Sequence, residues 1–160
     1  MHDLLERGAE VIGTGWLQRG WFTVMTSEGR RPVTAYNLGD AVDHPVVGAC
    51  LVGSVVRGAG GPAAVRTQLV QRTLDLLWHT LREDPERPVR WCPDPQTRAL
   101  RVLDLTRWND SPARTHGEVL ALLRAAQQTA RIERDRYRAA QLDLATGSRH
   151  LQRDPPKVSR

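Results

Sequence analysis

Apolar and polar positions change rhythm several times along this 160-residue chain, and each change predicts an element. Leu4, Leu5, Ala9, Val11 and Ile12 fall on one helical face until Gly13–Gly15 interrupts them, so a first helix is expected over residues 2–13. Trp21–Thr26 and Pro32–Tyr36 are β-rich and flank the turn formers Ser27, Glu28 and Gly29, which predicts a short hairpin with the proline-bearing strand at an edge. From Pro62 the positions Val65, Leu69, Val70, Leu74, Leu77, Trp78 and Leu81 recur at helical spacing, predicting a helix that ends near Asp84–Pro85. A proline-punctuated loop over 83–97 leads to Ala99–Leu105, whose alternation suggests a short strand. Thr115 and Glu118 form a capping box that opens the last helix, with Val119, Leu122, Leu123, Ala126 and Ala130 on its apolar face.

The run Val46–Val56 is apolar throughout and has two readings. Asp43 as a cap and Pro45 in the first turn predict a buried helix of about 12 residues, ended by Gly58 and Gly60. As a strand, it would precede Gly58–Ala63, which formally matches the G-x-G-x-x-[GA] turn of dinucleotide sites, with Glu83 or Asp84 as the ribose acid. Eleven residues is long for a strand, and no second β-α unit supplies the parallel neighbour, so the helix is the expectation. Beyond Ala130 the pattern becomes charged, with ion pairs such as Arg131–Asp135 available four residues apart; here the helix should project into solvent and end in a disordered tail.

Composition narrows this picture. The net charge of +5 is concentrated: residues 128–160 hold seven arginines and Lys157 against Glu133, Asp135, Asp143 and Asp154, leaving the body close to neutral. Attraction to nucleic acid is therefore a property of the tail rather than of a groove in the core. Twenty-two arginines to one lysine reflects a GC-rich genome more readily than bidentate anion contacts everywhere. Cys50 and Cys92 are too few for a disulfide scaffold, the first ten residues are charged, and no apolar run approaches the roughly 18 residues of a membrane span. A soluble, reduced, cytoplasmic protein is expected, with no membrane association.

The densest chemistry lies in Trp108–Thr115. Asn109 and Asp110 could hydrogen-bond their own backbone in an Asx-turn, Pro112 stiffens the approach and Thr115 caps, which makes the cluster first a helix start. The same loop could also hold a carboxylate or phosphate against the helix dipole, with Arg114 as a cation, Asp110 as acid or base, and Trp108 at the rim. A catalytic set of Cys50 with an imidazole and Asn109 or Asp110 is the weaker possibility. His44 lies six residues from Cys50, His79 and His116 could meet it only through tertiary contact, and a thiol in an apolar run behaves as a small hydrophobe. The five histidines lie apart without ligand spacing, so no metal and no cofactor is expected. Five tryptophans against one phenylalanine are expected at the core or its rim; several exposed together would suggest stacking on a flat ligand.

The stretches LLERGAEVIGTGWLQRGWF, CLVGSVV and RWNDSPARTHGEVLALLRAA resemble, in order and spacing, a group of small uncharacterised actinobacterial and actinophage proteins. Those proteins carry an N-terminal LL-x-R-A-A-x-x-I…G-W-x-Q-G helix, then C-A-L-G-A-L, then W-N-D-x-P-x-R-T before a closing helix. The resemblance spans about residues 3–127 and implies motif positions but no reaction. The matching residues are Trp16, Gln18, Gly20, Cys50, Gly53, Trp108, Asn109, Asp110, Pro112, Arg114 and Thr115. Leu17 stands where the group often has cysteine, Ser54 replaces alanine, and everything after Gln128 is additional.

Together these readings predict a mainly α domain (minor α+β) of four helices with a small hairpin or short strand. The expected division is a helical core over 1–127 and a basic helical extension with disordered tail over 128–160. The expected function is a non-catalytic accessory protein docking a protein partner, or itself as a homo-oligomer, through a helical surface. The alternative is a small enzyme or ligand-binding protein with a pocket at Trp108–Arg114, using Trp108, Asn109, Asp110, Arg114 and Thr115. A third reading is nucleic-acid binding by the tail.

Overall fold

The β-rich run after Trp21 folds back on itself at Ser27–Glu28, where Gly29 adopts a φ of +112° that a side chain would resist. In the computed structural model, which describes residues 1–84 and 86–151 with side chains as far as Leu144, the chain begins with α1 (His2–Thr14), β1 (Phe22–Thr26) and β2 (Gly29–Val33). A 3₁₀ turn at Leu38–Ala41 leads to β3 (Val46–Ala49) and α2 (Leu51–Gly58). A second 3₁₀ turn at Pro62–Arg66 precedes α3 (Gln68–Arg82), α4 (Pro95–Asn109) and α5 (His116–Leu151). The protein is mainly helical with a small sheet; five α-helices stand where four are expected.

β1 is the central strand, antiparallel to both neighbours in the order β2-β1-β3. Phe22 and Val24 point into the core while Thr23 and Met25 point away, the period-two alternation that the hairpin reading relies on. Pro32 sits on the edge strand β2, where a missing N–H costs no ladder bond. That strand runs from Gly29 to Val33 rather than from Pro32 to Tyr36, because the turn closes on Thr26↔Gly29.

The run Val46–Val56 corrects the expected single helix. Its first four residues extend as β3 against β1, Phe22 facing Ala49, and only from Leu51 does the chain coil. Val46 and Val47 are half-buried and Gly48–Val56 buried, so an apolar run without periodicity serves either element equally well. Ala99–Leu105 corrects the expected strand: it lies inside α4, whose start is set by Asp94, its carboxylate accepting from Thr97 N at 2.8 Å, with Pro95 in the first turn. The expected helix from Pro62 begins as a 3₁₀ turn, and Thr67 then caps α3.

The core lies between α1, α2, α3, the first half of α5 and the inner face of the sheet. α1 contributes Leu4, Leu5, Gly8 and Ile12, and α5 contributes Val119, Leu122, Leu123, Ala126 and Ala130. Past Ala130 the side chains turn outward: Tyr137, Leu142 and Leu144 are exposed, and Asp135 pairs with its neighbour Arg134 instead of Arg131. Arg136 reaches back to the carbonyl of Glu86 and to Glu133, which fixes this part of the rod to the body. The tail over 152–160 lies outside the described residues.

Candidate functional site

Asn109 is the last residue of α4 and is completely buried, so each of its polar atoms needs a partner inside the protein. All find one. Its Oδ1 accepts from Trp16 Nε1 at 2.9 Å and from the amide of Leu51 at 3.1 Å; its Nδ2 donates to the carbonyl of Leu17 at 3.1 Å and to Asp110 Oδ1 at 2.9 Å. The first residue of α2 thus has its free N–H satisfied by a side chain 58 residues away in sequence. Gln18 Nε2 completes the seam by donating to the carbonyls of Asn109 (3.0 Å) and Ser111 (2.7 Å).

The other side of this clasp is the extended segment after α1. Gly15 ends the helix, the amide of Ala49 donates to its carbonyl at 2.8 Å, and Leu17 N donates to Ala49 O at 3.2 Å, so Trp16 runs parallel to β3. A Cβ at Gly15 would lie 2.5 Å from the carbonyl oxygen of Val47, which excludes any other residue here. Arg19 follows with a φ of +63°, and its amide donates to Asp110 Oδ1 at 2.9 Å. Asp110 therefore secures a left-handed residue of another segment. The bonds of Asn109 and Asp110 are tertiary, in place of the local Asx-turn expected.

Cys50 sits directly beneath, as the N-cap of α2, its sulfur accepting from Gly53 N at 3.3 Å. A Cβ at Gly53 would lie 2.0 Å from the Trp21 carbonyl oxygen, and that oxygen also accepts from Cys50 N at 3.1 Å. The C-x-x-G spacing is thus the geometry of a thiol-capped helix pressed against a strand. Burial pushes the Cys50 thiol up from an ordinary 9.0 to about 12; the Gly53 amide works against this, and the Asp110 charge adds to it. At neutral pH the sulfur stays protonated, and among the described residues no imidazole hydrogen-bonds it. His116 Nε2 donates to the Ile12 carbonyl at 3.1 Å and its ring stacks on Trp16, while His79 pairs with Glu83.

Trp108, Arg114 and Thr115 form a second layer. The Arg114 guanidinium lies 3.9 Å from the centre of the Trp108 ring, donates to the Trp108 carbonyl at 3.2 Å and pairs with Glu118 at 2.8 Å. Thr115 N donates to Glu118 Oε2 at 2.8 Å and Glu118 N to Thr115 Oγ1 at 3.3 Å, the reciprocal box that the sequence predicts. These bonds, backbone first, hold the Glu118 carboxyl below its usual range.

The candidates named from sequence are thus brought together, with Asn109 and Asp110 against Cys50, and Trp108 beneath Arg114. Of these, Asp110 lines an open groove of about 560 Å³, which it shares with Trp21, Tyr36, Val102 and Leu103. Sequence reasoning passes over a second polar cluster at the other end of α4. Asp75, on the inward stripe of α3, accepts from Cys92 N at 3.2 Å and Arg98 Nη2 at 3.3 Å and lies 3.6 Å from Arg101 Nη1. Its signal is an acid flanked by Leu74, Leu76 and Leu77 within a helical stripe of leucines. Among the described residues, His2, Asp3 and Glu6 bring three potential ligand atoms within 4.8 Å, but two of the three are exposed and nothing else there points to an ion.

Residues 1–129 match a sequence family described as Family of unknown function (DUF6197). No curated protein and no solved structure matches the chain.

Proposed function

The chain belongs to that family of unknown function, and from its geometry we propose a non-catalytic accessory protein that docks a protein partner through the outer face of α4, a second copy being the simplest partner. One observation carries this reading. α4 leaves Leu103 43% exposed in the groove it shares with Trp21, Val102 and a Tyr36 that is 99% exposed, and Leu100, 67% exposed, lies on the neighbouring turn of the same helix. Aromatic and aliphatic anchors around a shallow apolar cleft are the usual centre of a protein interface. Small Ala99 beside Leu103 lets another helix approach closely. The polar cluster at Asn109 is meanwhile committed to holding segments together, and the Cys50 sulfur is protonated in the core, which favours binding over bond-making.

With few exposed apolar anchors, association should be weak and concentration-dependent. Sedimentation equilibrium over a wide concentration range tests it. The wild-type protein should gain mass with concentration, Leu103→Glu should abolish the gain without unfolding the exposed position, and Leu103→Cys should form a disulfide between copies. A single-chain mass at every concentration, unchanged by Leu103→Glu, would remove self-docking.

A further inference from the structure

The amino-terminal ends of α3 and α4 enclose a pocket of about 390 Å³ whose wall includes Arg66, Arg72, Arg98, Trp91 and Asp75. Asp75 is its single acid and is 1% exposed; Arg98 and Arg101 already share that carboxylate. Arg66 and Arg72 are exposed and make no ion pair among the described residues, and the Arg72 guanidinium rests 5.5 Å from the centre of the Trp91 ring. Asp94, close in sequence, is committed to Thr97 N and Oγ1 at 2.8 Å each and does not line the cavity. Three arginines therefore line the pocket against one carboxylate, and that carboxylate is already shared by Arg98 and Arg101.

The helix that begins at this wall adds to the imbalance. α3 has no acidic residue in its first turn, so the positive end of its dipole is compensated only by the Thr67 hydroxyl. Like charges gathered around one concavity repel each other, and a counter-charge placed among them interacts with all of them at once. Guanidinium forks match the oxygens of a phosphoryl group in spacing and planarity. The cavity exceeds a bare phosphate and falls within the range of small-molecule sites. Trp91, at the edge of exposure, offers a ring face beside it.

We propose that this pocket is a binding site for small phosphate-bearing anions, held by Arg66, Arg72 and Arg98, with Trp91 as the wall for the organic part. The proposal is separate from docking by α4, since Leu100 and Leu103 do not line this pocket.

The test titrates the full chain with inorganic phosphate and with a nucleoside monophosphate, following heat and the Trp91 indole resonance, with chloride at matched ionic strength as control. Saturable binding of either probe, absent with chloride, is expected. The variant Arg66→Gln/Arg72→Gln alters only exposed side chains and should weaken binding by at least about tenfold while leaving thermal unfolding in place. Tighter binding of the monophosphate than of phosphate assigns the Trp91 face to the organic part; equal binding assigns the site to the phosphoryl group alone. No saturable binding of either probe, or equal affinity in the double variant, overturns the proposal.

Discussion

The two ends of α4 each carry a buried polar cluster, and they differ in how completely it is closed. At the carboxyl end, every polar atom of the Asn109 side chain is paired and the partners come from α4, α2 and the segment after α1. At the amino end, Asp75 Oδ1 and Arg98 Nε are buried without a hydrogen bond, and guanidinium groups outnumber carboxylates. A closed network spends its polar atoms on fixing the fold, and an open one retains unspent electrostatic potential. The conspicuous motif is therefore the structural one. The cluster without a motif is where a ligand has something to neutralise.

The sharpest way to break this contrast is to open the closed end. Asn109→Ala removes the partner of Leu51 N–H in the buried core and of Trp16 Nε1–H and Leu17 C=O at its half-buried edge, and should cost about 3–5 kcal/mol in denaturant unfolding. Asp75→Asn, at the other end, keeps the shape but leaves Arg98 and Arg101 facing each other. Partial exposure of those arginines limits the loss to about 2–3 kcal/mol. The two substitutions part company in ligand titration: removing a negative charge beside the pocket should tighten phosphate binding, whereas Asn109→Ala should not alter it in the folded fraction. Equal stability losses with unchanged phosphate affinity in both would erase the distinction.

Much of the fold is legible along the chain, for identifiable reasons. α1, the core of α3 and the start of α5 each bury one face, so a helical stripe marks them, and Thr115 with Glu118 marks the last start by residue type alone. The junction at Cys50 is hidden because the run Gly48–Val56 across it is buried throughout and because a thiol is not among the usual caps. Ala99–Leu105 mimics a strand by chance alternation, although Asp94 followed by Pro95 already marks a helix start. The clasp itself could be located by resemblance, since Trp16, Gln18, Asn109 and Asp110 all belong to the matching motifs, but its pairing could not. Contacts over 91 to 93 residues leave no local pattern. The arginine pocket is equally silent, being assembled from residues 66, 72, 91 and 98 across two helices and a loop.

Cys50 offers a finer probe of the closed end. The folded thiol titrates near 12 against an ordinary 9.0, so folding favours the protonated form. Below pH 9 both states are protonated and stability is unaffected. Above it the unfolded chain ionises first, and stability should fall by about 1.4 kcal/mol per pH unit until the folded thiol ionises too. Cys50→Ser, whose hydroxyl can still cap α2 but does not ionise, should remove that slope in unfolding curves collected from pH 8 upward. Wild-type Cys50 should also resist alkylation until the protein unfolds. Rapid labelling in native buffer would place a thiolate where the geometry puts a thiol.

At the solvent edge of the same cluster the effects become small, which is itself a check on the contrast. Thr115 and Glu118 satisfy each other on the surface, so Thr115→Ala removes one cap and should cost about 1 kcal/mol. Glu118 has its carboxyl depressed below an ordinary 4.5, so its contribution is complete above that value and is lost as pH falls through the lower folded value. In Thr115→Ala the largest support of that depression, the Thr115 backbone donor, remains while the hydroxyl is gone, so the acid-side loss should shrink rather than vanish. A loss as large as that of Asn109→Ala would mean that the clasp extends to the surface, and that exposure is a poor guide to which of these polar residues hold the protein together.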